Sequence, residues 1–209
     1  MSKILVRSSI HSADLSVNKK YGESRPGTNK ITVITGLPGS GKSHLIKTKI
    51  LPNLDKKGKS VIVIDPNLEY KPRGNVSVFR IKDYHNATSE VETMLTYFLE
   101  SGKKPNVIIC DECNVVFDKL TLLPVTKRLV NTLRHEHIDL ILSARRPVDV
   151  NITMSELARE RFVFKATGVN DIKRLNEIIS DLGNKANALE GHDYLHIIND
   201  TDVKLVRAK

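Results

Sequence analysis

The sequence predicts an α/β fold in which a parallel β-sheet is flanked by helices on both faces. Two observations support this fold class. Short runs of β-branched and other apolar residues alternate along the chain with segments of helical periodicity, as in units that connect parallel strands through a helix. The runs are nearly continuous in apolar character, which is typical of strands that are buried on both faces. The predicted strands are residues 31–35, 61–65, 107–111, 139–143 and 161–165.

The segments between these runs predict the helices that connect the strands. Four helices are predicted, over residues 43–51, 89–100, 122–136 and 169–182. The first is expected to end before Pro52, because proline lacks the N–H that a helix interior uses. The second is expected to begin with a capping box of Ser89 and Glu92 and to end at Gly102. Apolar residues recur at helical spacing in the others, so each presents one apolar face to the sheet.

The two ends of the chain carry different patterns. Residues 193–206 predict two strands around the polar turn 199–202, which form an antiparallel hairpin at one edge of the sheet. Residues 1–29 are rich in Ser, Asn, Lys and Gly and predict a basic arm with at most one short strand, at 4–7. This arm is either solvated or in contact with nucleic acid or another subunit. The expected organisation is therefore an arm followed by one α/β domain, residues 30–209.

Composition excludes several classes of protein. The chain of 209 residues contains 33 Lys and Arg against 24 Asp and Glu, a formal net charge of +9, which favours a polyanionic partner. Hydrophobic residues make up 40% and charged residues 27%, so a disordered, collagen-like or coiled-coil architecture is excluded. Cys110 and Cys113 are too close together to cross-link the fold, and no apolar stretch approaches the about 20 residues of a membrane span. We expect a protein of the reducing cytoplasm, without membrane insertion.

A glycine-rich loop follows the first predicted strand. Residues 36–43, Gly-Leu-Pro-Gly-Ser-Gly-Lys-Ser, match the pattern G-x-x-x-x-G-K-[ST] where a strand meets a helix. In this pattern backbone N–H groups wrap a phosphate, and the helix N-terminus adds its positive dipole end. Lys42 is predicted to reach the β- and γ-phosphates of ATP, and the Ser43 hydroxyl to hold Mg²⁺. The residues predicted to bind the nucleotide are Gly36, Leu37, Pro38, Gly39, Ser40, Gly41, Lys42, Ser43 and His44.

An acidic pair ends the third predicted strand. Asp111 can hold Mg²⁺ together with Ser43 if its strand is a neighbour of the strand before the phosphate loop. Glu112 can then position and deprotonate a water molecule in line with the γ-phosphate. By itself such a pair is weak evidence, because turns collect acidic residues. Together with the phosphate loop it predicts an ATP-hydrolysing site, with Ser43 and Asp111 as metal ligands and Lys42 and Glu112 as catalytic residues.

With these motifs, roughly residues 30–200 resemble the additional-strand, RecA-like P-loop NTPases that carry a catalytic glutamate after the magnesium aspartate. Three pieces of sequence, residues 65–70, 111–112 and 140–147, narrow the resemblance to the HerA/FtsK group and its viral genome-packaging ATPases. The resemblance implies ATP and Mg²⁺ as cofactors and a ring of identical subunits. It also implies an arginine supplied by the neighbouring subunit. The sequence does not choose among three arginines for this role, namely Arg134, Arg159 and Arg161.

The residue that senses the γ-phosphate is expected at the end of the fourth predicted strand, but the sequence does not identify it. The group typically has a polar residue here, often Gln, before Arg-Pro, but this chain has Arg145 at that position. The sensor is therefore either Ser143 or Arg145. From the residues alone, Ser143 can hydrogen-bond a phosphate or the attacking water, and Arg145 or Arg146 can neutralise developing charge. All three are predicted catalytic residues, and the alternative is a surface turn with two solvated arginines.

The leading functional prediction is ATP hydrolysis coupled to the movement of double-stranded DNA, as in the genome-packaging motor of a bacterial or archaeal virus. A capsid vertex protein is then a further expected partner, and the host cytoplasm or the virion the expected location. One alternative is a kinase for a nucleotide or small molecule, in which Asp65 engages the phosphate acceptor, although no arginine-rich lid is evident. Otherwise Asp65 lies with Glu69 at the nucleotide site or ends a turn. Another alternative is an ATP-gated DNA-binding assembly module, which does not need the water-activating Glu112.

Overall fold

An eight-stranded β-sheet organises residues 30–208, the part of the chain that the computed structural model describes. The strands are β1 (Ile31–Thr35), β2 (Val61–Ile64), β3 (Val76–Phe79), β4 (Val107–Cys110), β5 (Asp139–Ala144), β6 (Ala158–Phe164), β7 (Tyr194–Ile198) and β8 (Asp202–Val206). Their order in the sheet is β3-β2-β4-β5-β1-β6-β7-β8. All pairs from β3 to β6 are parallel, and β7 and β8 are antiparallel. The predicted sheet and its edge hairpin are confirmed, while the predicted arm, residues 1–29, lies outside the described residues.

Helices cover both faces of the sheet. They are α1 (Lys42–Leu45), α2 (Leu51–Lys56), α3 (Ala87–Ser101), α4 (Pro124–Glu136), α5 (Ile152–Glu156), α6 (Val169–Ile178) and α7 (Leu182–Asn187). Alternate residues of a strand point to opposite faces. In β4, Ile108 and Cys110 join the core under α3 and α4, whereas Val107 and Ile109 join the core under α1 and α2. The apolar runs of the sequence are therefore continuous because both faces of the sheet are buried. Between residues 30 and 208, no helix combines the length and apolar character needed to span a bilayer.

The order of the strands decides how the site is assembled. Strand β5 pairs with β1 on one side and with β4 on the other, so the strand before the phosphate loop and the strand before the acidic pair are not neighbours. The sequence predicts the contact between Asp111 and Ser43 on condition that these two strands are adjacent, and this condition is not met. All three strands are parallel, so their carboxyl ends still lie at one edge of the sheet.

The helix after the phosphate loop continues through Pro52, although the sequence predicted its end there. Between α1 and α2 the segment Ile46–Ile50 forms a π-helical turn, and the N–H of Leu51 donates to the carbonyl of Ile46. Pro52 then lies in the first turn of α2. The helix continues because the π-helical turn before Pro52 changes the hydrogen-bond spacing at the point where the proline has no N–H to donate.

Glu92 does not form the predicted capping box. Helix α3 begins at Ala87, so Ser89 lies inside the helix rather than at its N-cap. The Glu92 carboxylate instead accepts hydrogen bonds from the N–H of Val125 at 2.5 Å and from the N–H and hydroxyl of Thr126 at 3.1 and 2.6 Å. These groups are at the N-terminus of α4, where a negative charge is favourable. A side chain of α3 therefore caps α4.

Strand β6 begins three residues before the predicted strand, because the charged residues at its start concealed it. Arg161 is only 3% exposed. Its guanidinium donates to Asp200 at 2.7 Å and to the carbonyl of Ser155 at 2.8 Å. This pairing allows a charged residue within a sheet. It also holds the Arg161 side chain against Asp200 and Ser155 of its own chain.

Other boundaries differ because short or exposed elements carry weak patterns. Strand β3 and helix α5 were not predicted, and each has five residues or fewer. The predicted helix 169–182 ends at Ile178 as α6, since Ile179 is extended and Asp181 has a positive φ of 64°. Helix α7, which begins at Leu182, was not predicted. A left-handed residue of this kind is not continued as a helix.

We expect Glu92→Ala to lower the free energy of unfolding by about 1–3 kcal/mol, because buried N–H groups at the start of α4 lose their acceptor. The measurement is urea denaturation followed by circular dichroism. Glu100→Ala, an exposed change on the same helix, is the control and should stay within about 0.5 kcal/mol of the wild type. Equal stability of Glu92→Ala and wild type would contradict the capping role.

Candidate active site

The phosphate loop joins β1 to α1 and is shaped by glycines. Gly36, Gly39 and Gly41 all have positive φ angles, of 151°, 74° and 106°. A Cβ at Gly36 would lie 2.4 Å from the Cβ of Phe164 in β6, so the loop passes too close to this strand for any side chain. Gly41 is the N-cap of α1. The turn therefore leads directly into a helix N-terminus, as phosphate binding requires.

Lys42 folds back into the loop. Its Nζ donates hydrogen bonds to the carbonyls of Gly36 at 2.8 Å and Leu37 at 3.1 Å, and the residue is 6% exposed. Burial lowers the pKa of Lys42, while the nearby Glu112 and Asp111 carboxylates act in the opposite direction. The ammonium group is thus held inside the curve of the loop, next to the predicted position of the phosphates.

Asp111 receives hydrogen bonds from three parts of the chain. Ser43 Oγ donates to Asp111 Oδ2 at 3.0 Å, across the intervening strand β5. The hydroxyl of Tyr70 donates to the same oxygen at 2.7 Å, and the N–H of Glu112 donates to Oδ1 at 3.2 Å. Burial and the Asp111 charge raise the pKa of Tyr70, so its hydroxyl keeps the proton that it donates.

The groups around Asp111 suit a magnesium ion bound together with a nucleotide. Mg²⁺ prefers oxygen ligands and is commonly held by one or two carboxylates together with substrate phosphates and water. The Ser43 hydroxyl and the Asp111 carboxylate meet this description. Among residues 30–208 no group of three or more His, Cys, Asp or Glu side chains is arranged to hold a metal. Ser43 and Asp111 would hold Mg²⁺ together with the phosphates of a bound nucleotide.

Glu112 and Arg145 form an ion pair at the mouth of the site. Arg145 Nε lies 3.1 and 3.0 Å from the two carboxylate oxygens of Glu112. The Glu112 side chain is 13% exposed and that of Arg145 is 54% exposed. Glu112 has a positive φ of 52°, which turns its side chain away from the line of β4. A water molecule that approaches this carboxylate has to compete with Arg145.

Ser143 and Arg146 lie away from this ion pair. Ser143 is fully buried in β5, in register with Ile34 of β1, and within residues 30–208 its hydroxyl has no hydrogen-bond partner. Arg146 donates to Asp171 of α6 at 3.0 Å. The structure therefore brings Arg145, but not Arg146, to Glu112. The catalytic roles of Ser143 and Arg146 stay predictions.

A cleft of about 1160 Å³ contains most of the predicted residues. Those that line it are Pro38, Gly39, Gly41, Lys42, Ser43, His44, Glu112 and Arg145. Gly36, Leu37 and Ser40 instead form the inner side of the loop. The sequence analysis missed a wall at the C-terminal hairpin, which includes His192, Tyr194 and Arg207. No motif marks these residues, because they reach the cleft only through the antiparallel pairing of β7 with β6.

The chain is similar in structure to two viral ATPases. One is the genome packaging NTPase B204 from Sulfolobus turreted icosahedral virus 2 in complex with ATPγS, with 25% identity, a TM-score of 0.74 and coverage of 85% of this chain and 97% of that chain. The other is B204, the DNA-packaging ATPase from Sulfolobus turreted icosahedral virus, with 24% identity, a TM-score of 0.70 and coverage of 85% and 97%. The predicted resemblance to viral genome-packaging ATPases is confirmed.

More distant proteins share the fold. The pCW3 conjugation coupling protein TcpA with ATPγS matches at 18% identity and a TM-score of 0.61, over 85% of this chain and 59% of that chain. The profile of the viral superfamily 1 RNA helicase core domain matches residues 32–117, which include the phosphate loop and the acidic pair. No curated protein matches the chain in sequence. The chain has the P-loop NTPase fold, and the matches to NTPases with bound ATP analogues support ATPase activity.

We expect Gly36→Ala to destabilise the nucleotide-free protein more than Gly39→Ala. Both substitutions place a Cβ on backbone with positive φ, but only the Cβ at position 36 meets another atom, since nothing lies within 4 Å of one at position 39. We expect the clash at position 36 to lower the free energy of unfolding by a further ~1–3 kcal/mol. The measurement is the urea midpoint of both variants without ATP. Equal midpoints would mean that the contact with Phe164 does not constrain the loop.

Proposed function

We propose that this protein is an ATP-driven translocase for double-stranded DNA and that it packages the genome of a bacterial or archaeal virus. The observation that carries the proposal is the similarity to B204, a genome packaging NTPase, over 85% of this chain and 97% of B204. The contact between Ser43 and Asp111 supports the chemistry, because it joins the phosphate loop to the acidic pair. The formal net charge of +9 supports a polyanionic partner.

In the proposed reaction each residue of the site has a separate role. Lys42 neutralises charge on the β- and γ-phosphates, while Ser43 and Asp111 hold Mg²⁺. The bound Mg²⁺ supplies further charge neutralisation at the phosphate oxygens. Glu112 accepts a proton from water as the water oxygen bonds to the γ-phosphorus, and the bond from that phosphorus to the bridging oxygen of ADP breaks.

Arg145 is a further candidate for a role in this reaction because it contacts Glu112. Its guanidinium is beside Glu112, and the residue lines the same cleft as Lys42 and Ser43. We propose that it neutralises developing charge at the γ-phosphate and releases Glu112 for water. Ser143 is the second proposed sensor of the γ-phosphate. It lies two residues before Arg145, and its hydroxyl is buried.

The proposed assembly is a ring of identical subunits around DNA. In such a ring a neighbouring subunit supplies an arginine to the phosphates. Arg134 and Arg159 are exposed and are the proposed sources, whereas Arg161 is engaged by Asp200. A capsid vertex protein is a further proposed partner, and the host cytoplasm or the virion the proposed location.

A second function, unwinding of RNA, is favoured by the match to the viral superfamily 1 RNA helicase core domain over residues 32–117. It would use the same phosphate loop and acidic pair, so the site alone does not separate it from DNA translocation. The nucleic acid that stimulates hydrolysis does separate the two.

We expect phosphate release from ATP and Mg²⁺ to be stimulated by double-stranded DNA and to fall by a factor of about 10²–10⁴ in Glu112→Gln, because the general base is lost. Binding of a fluorescent ATP analogue should be retained in this variant. Glu100→Gln, an exposed change of the same chemistry on α3, is the control and should hydrolyse ATP at the wild-type rate.

Other outcomes would contradict the proposal in distinct ways. Stimulation by RNA instead of DNA would favour the helicase function. Transfer of phosphate to a nucleoside or another small acceptor, without effect of nucleic acid, would indicate a kinase. ATP-dependent assembly with no turnover would indicate a binding module.

The ring makes a separate prediction about mixed subunits. If Arg134 or Arg159 acts on the neighbouring site, its Ala variant should be inactive alone but regain ATPase activity when mixed with Glu112→Gln, because some interfaces then combine an intact glutamate with an intact arginine. The measurement is phosphate release at fixed total protein, with mass photometry to confirm assembly. If no mixture regains activity, neither arginine acts in trans.

A further inference from the structure

The loop after β2 is closed by the carboxylate of Asp65. This residue is 1% exposed, and its two oxygens accept the N–H of Glu69 at 3.0 Å and the N–H of Tyr70 at 2.8 Å. Leu68, which precedes Glu69 in this loop, has a positive φ of 58°, as a tight turn requires. Asp65 therefore organises its own loop and fixes where Tyr70 leaves it.

Tyr70 is directed from this loop into the metal site. It is 3% exposed, and its hydroxyl donates to Asp111 Oδ2, the oxygen that also accepts from Ser43. Lys47, on the π-helical turn, lies 4.8 Å from the centre of the Tyr70 ring and pairs with Glu69 at 2.7 Å. The loop is thus attached both to Asp111 and to the helix that carries Ser43.

We propose that Tyr70 is a positioning residue for the magnesium site, which orients the Asp111 carboxylate toward Ser43. This inference rests on the proposed function only for the role of Asp111 as a magnesium ligand. A carboxylate at a strand end can rotate about its last side-chain bond, and a second donor on the same oxygen limits that rotation. The tyrosine hydroxyl is neutral, so it orients the carboxylate without cancelling the charge that attracts the metal.

The test measures metal binding directly, with Mn²⁺ as the probe. Mn²⁺ is titrated into the full-length chain with ATPγS, and free Mn²⁺ is followed by electron paramagnetic resonance. We expect Tyr70→Phe, which removes only the hydroxyl, to weaken Mn²⁺ binding about 10-fold, in the range found for outer-shell partners of metal ligands. Asp65→Asn, which removes one acceptor from the loop, should weaken it as well.

Tyr84→Phe is the matched control. The Tyr84 hydroxyl donates to the carbonyl of Pro66 in the same loop, and not to the carboxylate of Asp111. Its removal should leave Mn²⁺ binding within about twofold of wild type, as for most exposed substitutions. Asp111→Asn is the reference for a damaged metal site, and circular dichroism checks that each variant is folded.

Three results are informative. Weaker binding in Tyr70→Phe with an unchanged Tyr84→Phe supports the inference. Wild-type binding in Tyr70→Phe, with Asp111→Asn impaired, overturns it and leaves the metal ligands of the proposed function intact. Wild-type binding in Asp111→Asn overturns both, because the carboxylate that Tyr70 orients would not bind the metal.

Discussion

The buried carboxylate of Asp111 is the group on which the arrangement of this site depends. A buried charge is costly unless it is surrounded by hydrogen-bond donors. Here the donors come from the helix after the phosphate loop, from the loop after β2 and from the adjacent backbone. The helix and the loop are distant from Asp111 in sequence, and the parallel sheet, with its carboxyl ends at one edge, brings them together. Satisfying one charge thus ties the packing of the sheet to the geometry of the nucleotide site.

Different elements of the fold supply the two sides of the cleft. Short-range motifs provide the phosphate loop and the acidic pair. The opposite wall comes from the C-terminal hairpin, with His192 near Gly41 and the Tyr194 ring 5.0 Å from that of Phe164. Phe164 also limits Gly36 through its Cβ. One strand, β6, therefore constrains the loop and supports the wall that faces it.

Much of the fold and the centre of the site could be predicted from the sequence, because they depend on local patterns. Gly36 to Ser43 are contiguous, and Asp111 ends an apolar run. What could not be predicted depends on contacts between distant residues. Tyr70 and Asp111 are separated by 41 positions, and Glu92 caps α4 through the N–H of Val125, 33 positions later. The charges of Arg159 and Glu160 concealed the start of β6, since the place of Glu160 in a strand is understood only once its partners Lys30 and His196 are known.

The position of β1 has a consequence for biosynthesis. Although β1 precedes every other strand of residues 30–208, its two neighbours are β5 and β6, so it stays unpaired until residues more than 100 positions later have been made. β6 in turn buries Arg161 only when Asp200 is present. Long-range pairing of this kind slows folding. On the ribosome, a nascent chain therefore completes its nucleotide site only after the C-terminal hairpin has emerged. Incomplete chains would bind ATP weakly.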